Sequence, residues 1–282
     1  MVELNHSSHV VTLELVRTLD ETETAVEMSK SEGLRRQQGN PLDVEIRHFS
    51  DIVGLVARNA SDHTYMNRVM RVTAKHVDLL EEIITWYREQ DVQYRVEIIP
   101  HLTDEALLRE LFRLGLAPAE FNTVFYARPP SDPQSLPAEV EVKTYVDDDL
   151  EAFATLFTTL YSDLSVSQKD ALRIETLARH SQPGWRCYLA WVGGELGAWS
   201  RMYIRGNTAS FSGAMSLPKY RQRGLQAALL RQRKLDAKAL GCNLFVSQAT
   251  PGTTSQRNME RAGFRVAYNK VRWRDLHGTS TS

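Results

Sequence analysis

Apolar and polar residues alternate along this chain in two rhythms, one of about 3.6 residues and one of two, and the switches between them mark its elements. The helical rhythm runs over Glu14–Ser31. Strand-like runs follow at Val44–Phe49, Ile52–Ala57 and Met66–Thr73. A helix is expected across Lys75–Gln90, with Leu79, Leu80, Ile83, Ile84 and Tyr87 on one face. A strand is expected at Tyr94–Ile99. Thr103 then reads as the cap of a helix over Asp104–Leu114, which Gly115 stops. Phe121–Tyr126 closes this stretch as a strand.

The same order recurs downstream. Val140–Tyr145 reads as a strand, and Asp147–Tyr161 and Gln168–His180 read as helices. Arg186–Val192 and Leu196–Ile204 are strands joined at Gly193-Gly194, a two-residue hairpin signal. Asn207–Ser216 is expected as one strand and Leu225–Leu240 as a helix with Leu225, Ala228, Leu229, Leu235 and Ala239 inward. Leu244–Gln248 (strand), Thr254–Ala262 (short helix) and Phe264–Trp273 (strand) complete the order. Between the repeats, Ala127–Ala138 holds four of the ten prolines and reads as an extended linker. The expected division is a domain over 1–128, a linker over 129–138, a second domain over 139–275 and a polar tail over 276–282. This parallel order suggests a duplicated domain, although the residues of the two copies scarcely match.

Composition narrows the class. With 282 residues, 42% of them hydrophobic and 24% charged, the chain is globular and long enough for two ordinary domains. It has no run of 18 apolar residues, so no membrane partner is expected. No basic-then-apolar start marks a secretory signal, so a cytoplasmic location is expected. Cys187 and Cys242 sit in apolar segments and read as buried thiols of a reducing compartment. The eight histidines are scattered, and no metal is expected. A formal net charge of −1 favours no DNA partner. Locally, Lys219–Lys238 carries seven basic residues against one acid, and the second half of that run reads as a solvated helix face.

The chemistry concentrates in Ser210–Leu230, where a strand runs into Pro218, a basic turn around Gly224, and a helix. Backbone N–H groups at a helix start lack intrahelical acceptors and lie at the positive end of its dipole. A phosphate suits such a site. Gly224 allows close backbone approach, Arg221 and Arg223 add charge-assisted contacts, and Pro218 ends pairing on its strand. The segment Ser216-Leu-Pro-Lys-Tyr-Arg-Gln-Arg-Gly-Leu-Gln-Ala-Ala-Leu-Leu230 resembles the acyl-CoA-binding motif of the GCN5-related N-acetyltransferases (GNAT), and Thr250–Phe264 resembles that family's second signature, including Ser255. The resemblance covers Glu139–Trp273 in element order.

The resemblance implies an α/β (α+β) fold of two tandem GNAT-like domains. Each would have a mixed, mostly antiparallel sheet flanked by helices, with a splayed strand pair at the donor site of the second. It implies that Ala214, Met215 and Ser216 hold pantetheine and that Gln222, Arg223, Gly224, Leu225, Gln226 and Ala227 wrap the pyrophosphate of acetyl-CoA or another acyl-CoA. Three positions depart from the family pattern: Gln226 replaces a glycine and crowds the helix start, Gly252 an asparagine, and Met259 a proton-donating tyrosine. The first half has no such motif and reads as a degenerate copy.

Family chemistry is direct attack of an amine on a thioester, with a base and an acid. No acid occurs between Leu196 and Arg233, and Glu195 reads as a solvated hairpin residue. Ser212, Tyr203 or water remain as the base, and Tyr268 as the proton donor. Asp163, Trp185 and Trp199 are expected at the acceptor surface, and Arg68 and Arg71 as anionic contacts from the first half. A small-molecule amine is the expected acceptor. Two alternatives stay open: a donor carried on aminoacyl-tRNA or an acyl carrier protein, and a non-catalytic acyl-CoA sensor. A homodimer is possible.

Overall fold

Thr12 opens the first helix, its hydroxyl accepting from the Leu15 N–H at 3.2 Å, and α1 then runs over Leu13–Arg35. The computed structural model describes residues 10–129, 139–145, 165–180 and 182–277. The expected helix Asp147–Tyr161, Asp163 and most of the proline-rich stretch lie outside the described residues. After α1 come β1 Val44–Phe49, β2 Ile52–Ala57, β3 Arg68–Val72, a 3₁₀ segment Ala74–Leu79, α2 Leu80–Glu89 and β4 Arg95–Ile98. Asp104, rather than Thr103, caps α3 Glu105–Arg113, its carboxylate accepting from the Leu107 N–H at 2.9 Å. Gly115 at φ +82° stops the helix as expected. β5 spans Leu116–Ala127 and begins earlier than its apolar run suggests. Its first residues pair only with the last strand of the chain, and a proline at position 118 is tolerated where one edge is open.

The second half contains β6 Val140–Thr144, α4 Val166–His180, β7 Trp185–Val192, β8 Glu195–Arg205, β9 Thr208–Phe211 and β10 Ala214–Ser216. It continues with α5 Leu225–Ala239, β11 Leu244–Ala249, α6 Thr254–Arg261 and β12 Arg265–Asp275. Gly193 (φ +59°) and Gly194 (φ +80°) make the expected tight hairpin between β7 and β8. The expected single strand Asn207–Ser216 is two strands, broken at Ser212-Gly213.

The twelve strands of the described residues form one sheet in the order β1-β2-β3-β4-β12-β5-β11-β9-β8-β7-β6, with β10 on β8. Two pairs, β3–β4 and β9–β11, are parallel, and the rest are antiparallel. Each half thus supplies one parallel pair. The last strand of each half is exchanged: β12 lies between β4 and β5, and β5 lies between β12 and β11. One apolar cluster gathers Tyr188, Trp199, Leu229 and Phe245, and another gathers Val96, Ile83, Tyr87 and Leu107.

Beneath α1 the packing is charged. Glu97 on β4 accepts from Lys270 (2.7 Å) and Arg272 (3.1 Å) on β12 and from Arg68 (3.2 Å) on β3. Lys270 also pairs with Glu23 of α1 at 2.8 Å, and Arg68 with Glu27 at 3.5 Å. Arg68, expected as an anionic contact, is 4% exposed and is taken up by this network. The basic run on α5 is likewise no solvated face throughout. Arg233 is fully buried, its Nη1 donates to the Arg201 carbonyl at 2.9 Å, and burial pushes its guanidinium down to about 9. Both cysteines are buried and unpaired. Among the described residues no helix is long and apolar enough to cross a membrane, and no group of three metal-ligating side chains occurs.

Candidate donor site

β9 pairs in parallel with β11 as far as Phe211 beside Ser247. Gly213 then turns at φ +61°, and its carbonyl accepts from the Arg201 N–H at 3.0 Å. From Tyr203↔Ser210 to Ser200↔Ala214, three steps on β8 face four on the other strand, so one residue bulges. β10 stays on β8, while β11 runs on to Ala249 against β5. The neighbouring strands therefore part at Ser212-Gly213, leaving a slot beside the backbone edge of Ala214, Met215 and Ser216.

The chain leaves β10 through a 3₁₀ turn at Pro218–Tyr220 whose aromatic ring packs on Gly197; a Cβ there would meet the Tyr220 ring at 2.9 Å. Arg221, Gln222 and Arg223 are exposed, with Gln222 left-handed at φ +65°. Gly224 follows at φ +78° as the N-cap of α5, and no side chain caps the helix. The first amides of α5 are thus available to an anion at the positive end of the dipole. Gln226 folds back, its Nε2 donating to the Ser216 Oγ at 3.0 Å. Its side chain ties the helix start to the strand end instead of lying across the cradle. Glu195 accepts from Lys219 Nζ at 2.7 Å and from the Tyr220 hydroxyl. These hydrogen bonds hold its carboxyl below the usual range. It is an exposed hairpin residue, as read from the sequence, and it anchors the turn.

Ser212 lies half-buried at the break itself. Tyr203, on β8, packs against Trp185 with ring centroids 5.0 Å apart. Trp185 donates from Nε1 to the Ser29 Oγ of α1 at 3.0 Å, and Arg179 of α4 lies 5.1 Å from its ring. Trp199 is 1% exposed, its ring 3.3 Å from where a Gly213 Cβ would stand, and Arg201 covers it at 4.5 Å. It forms the floor of the break, not an acceptor surface. Met259 packs in the second-half core, and Ser255 is exposed on the first turn of α6.

Tyr268 is displaced most from its expected place. It pairs with Val124 of β5, which separates β12 from β11. Its ring lies 6.0 Å from His101 of the first half. Burial, with Glu23 and Asp20 nearby, pushes its hydroxyl well above the ordinary tyrosine value. The strand exchange carries Tyr268 out of the slot. In its stead β5 brings first-half residues beside β11: Asn122 donates to the Gln248 side chain, and Thr123 donates to Asn269 at 2.8 Å. No local pattern in the sequence marks Asn122 or Thr123, because only the exchanged pairing puts them there.

This is the fold of the GCN5-related N-acetyltransferases, present in two tandem copies. The chain is similar in structure to a GCN5-related N-acetyltransferase from Kribbella flavida (TM-score 0.64, 17% identity, 90% of this chain and 95% of that one). It is also similar to a tandem GNAT protein of the clavulanic acid biosynthesis pathway (TM-score 0.58, 15% identity, 94% and 98%). A third likeness is to a GCN5-related N-acetyltransferase from Sphaerobacter thermophilus (TM-score 0.56, 17% identity, 79% of each chain). No family model matches the sequence, and no curated protein matches it.

Proposed function

We propose that the chain moves an acetyl or other short acyl group from acyl-CoA to an amine of a small molecule, at a single donor site in the second half. The observation that carries this reading is the uncapped start of α5 behind Gly224, set beside the parting of β10 from β11. In this reading the amides of Leu225, Gln226 and Ala227, with Gln222 and Gly224, wrap the pyrophosphate. Arg221 and Arg223 contact it from the rim. The open edge of Ala214, Met215 and Ser216 takes the pantetheine amides, and Ser255 faces the nucleotide end.

The amine attacks the thioester carbonyl, whose developing charge is met by a backbone N–H at the slot. Collapse breaks the C–S bond, and the coenzyme A thiolate leaves and takes a proton from water. The amine's proton leaves through Ser212 or a water beside it. Tyr203 and Trp185, tied to α1, shape the acceptor side. The test is titration calorimetry with coenzyme A, followed by thiol release from acetyl-CoA against an amine library. Saturable coenzyme A binding with amine-dependent thiol release supports the reading. Binding without release against any amine favours an acyl-CoA sensor, consistent with the absence of an acid between Leu196 and Arg233. Failure of coenzyme A to bind shifts the donor to a carrier protein or aminoacyl-tRNA.

A further inference from the structure

The first half has an irregularity of its own between parallel strands, a bulge near the carboxyl ends of β3 and β4, which pair again at Val72 and Ile98. Arg71 sits there in the left-handed region at φ +67°, and the register slips between Val69 and Val72. A cleft of about 540 Å³ opens beside it, bounded by α1, the turn before α2 and the segment after β4. Its lining includes Arg17, Asp20, Glu21, Arg71, Lys75 and His101.

This cleft is not a second pyrophosphate cradle. His76 Nδ1 accepts from the Thr73 N–H at 3.1 Å in a capping box, so side chains already serve this helix start. Lys75 is bound to Asp51 at 2.9 Å, and His76 to the same carboxylate at 2.7 Å. What remains is a separated pair of opposite charges. Asp20 is 7% exposed and lines the cleft, and among the described residues no hydrogen bond or ion pair is made by its carboxylate, whose oxygens keep contact with the cleft's solvent. Behind His101 the Tyr268 hydroxyl is buried with no partner. Arg17 is exposed and has no ion pair among the described residues, and Arg71 meets Glu21 only at 3.7 Å. A carboxylate on a largely buried residue, open to solvent only through the cleft and without a protein donor, marks a place for a donor on a ligand.

We infer that this first-half cleft binds a small zwitterion of the amino acid type, its ammonium on Asp20 and its carboxylate on Arg17 and Arg71. Two arginines beside one carboxylate suit a bidentate, charge-assisted contact. The volume lies within the range of small-molecule sites. The site is separate from the donor slot. From β4 to β11 is three strand steps, across β12 and β5, or about 14 Å. Direct attack requires reacting atoms within about 3.5 Å, so this ligand is assigned a role other than acyl acceptor in that slot.

The full chain should be titrated by calorimetry with L-glutamate and γ-aminobutyrate, using butylamine and butyrate as single-charge controls. Saturable binding of a zwitterion is expected, with the controls weaker by on the order of tenfold. Asp20→Asn and Arg17→Ala should each weaken it by a similar factor, whereas Gly224→Asp should leave it unchanged. That last variant separates this site from the proposed donor site. If Asp20→Asn does not fold, exposed Arg17→Ala decides alone. The inference is overturned if neither zwitterion binds at millimolar concentration, if the controls bind as well, or if binding survives Arg17→Ala and any folded Asp20→Asn.

Discussion

Lys270 Nζ stands 2.7 Å from one Glu97 oxygen and 2.8 Å from Glu23, joining the last strand of the chain to a strand and a helix of the first half. All three groups are buried, and a buried charge left without its partner is costly. Lys270→Met strands Glu23 and takes one of three cations from Glu97. The expected loss of stability is about 3–5 kcal/mol, read from urea unfolding at neutral pH.

The same network sets a pH dependence. Burial pushes the Glu23 carboxyl up from 4.5 to about 7, against the pull of Lys270. The folded state therefore holds this proton more tightly than the unfolded chain, and the contribution of Glu23 to stability declines as pH rises from 4.5 to about 7. Glu27 behaves oppositely: Arg68 and Lys30 overcome burial and bring it down to about 2. Its contribution is present above 4.5 and is lost as pH falls toward 2. Unfolding followed across pH should show Glu23→Gln flattening the upper segment and leaving the lower one in place.

At the proposed donor loop, Gly224 at φ +78° combines a conformation that other residues resist with a place against the proposed phosphate. Gly224→Ala should cost about 1 kcal/mol of stability. Gly224→Asp adds a negative charge where a phosphate would sit. Coenzyme A affinity should fall at least about tenfold while the circular dichroism spectrum is retained. Unchanged affinity would remove the basis of the proposed donor site.

Glu195 holds the turn through Lys219 and Tyr220 from an exposed position. Glu195→Ala should raise the KM for the acyl donor a few-fold with little change in kcat. A collapse of kcat at unchanged KM would instead make Glu195 a base.

The exchanged strands make a further prediction. Segments 1–128 and 139–282, expressed separately, should each be insoluble or molten, since each sheet lacks a strand that the other supplies. Co-expression should recover a folded complex, detected by co-purification through a tag on one segment.

The turn and helix start of the proposed donor loop are legible because their signal is contiguous: Pro218, Gly224 and the first helical residues act on their immediate neighbours, and the structure keeps that local arrangement. The hairpin at Gly193-Gly194 was legible for the same reason. The face of α5 was harder to read. Its buried line runs Leu229, Arg233, Ala237, so an arginine occupies a core position that apolar spacing reads as polar. Lys75–Gln90 reads as one helix in the sequence, but Thr73 and His76 cap a 3₁₀ turn before α2 starts. Tyr268 was misplaced for a non-local reason. Nothing in Phe264–Trp273 distinguishes a strand that closes its own half from one inserted into the other.

Synthesis of this chain on the ribosome meets that exchange as a matter of timing. β4 and β5 emerge early, yet the strand that belongs between them, Arg265–Asp275, follows β5 only after well over a hundred residues. Until then Glu97 has no Lys270, and two strand edges stand open for well over a hundred residues of translation. Folding thus waits on contacts of very large sequence separation, which are slow to form and expose the nascent chain to mispairing. The first half therefore completes its sheet only after Arg265–Asp275 has been made, and its open edges must stay unpaired until then.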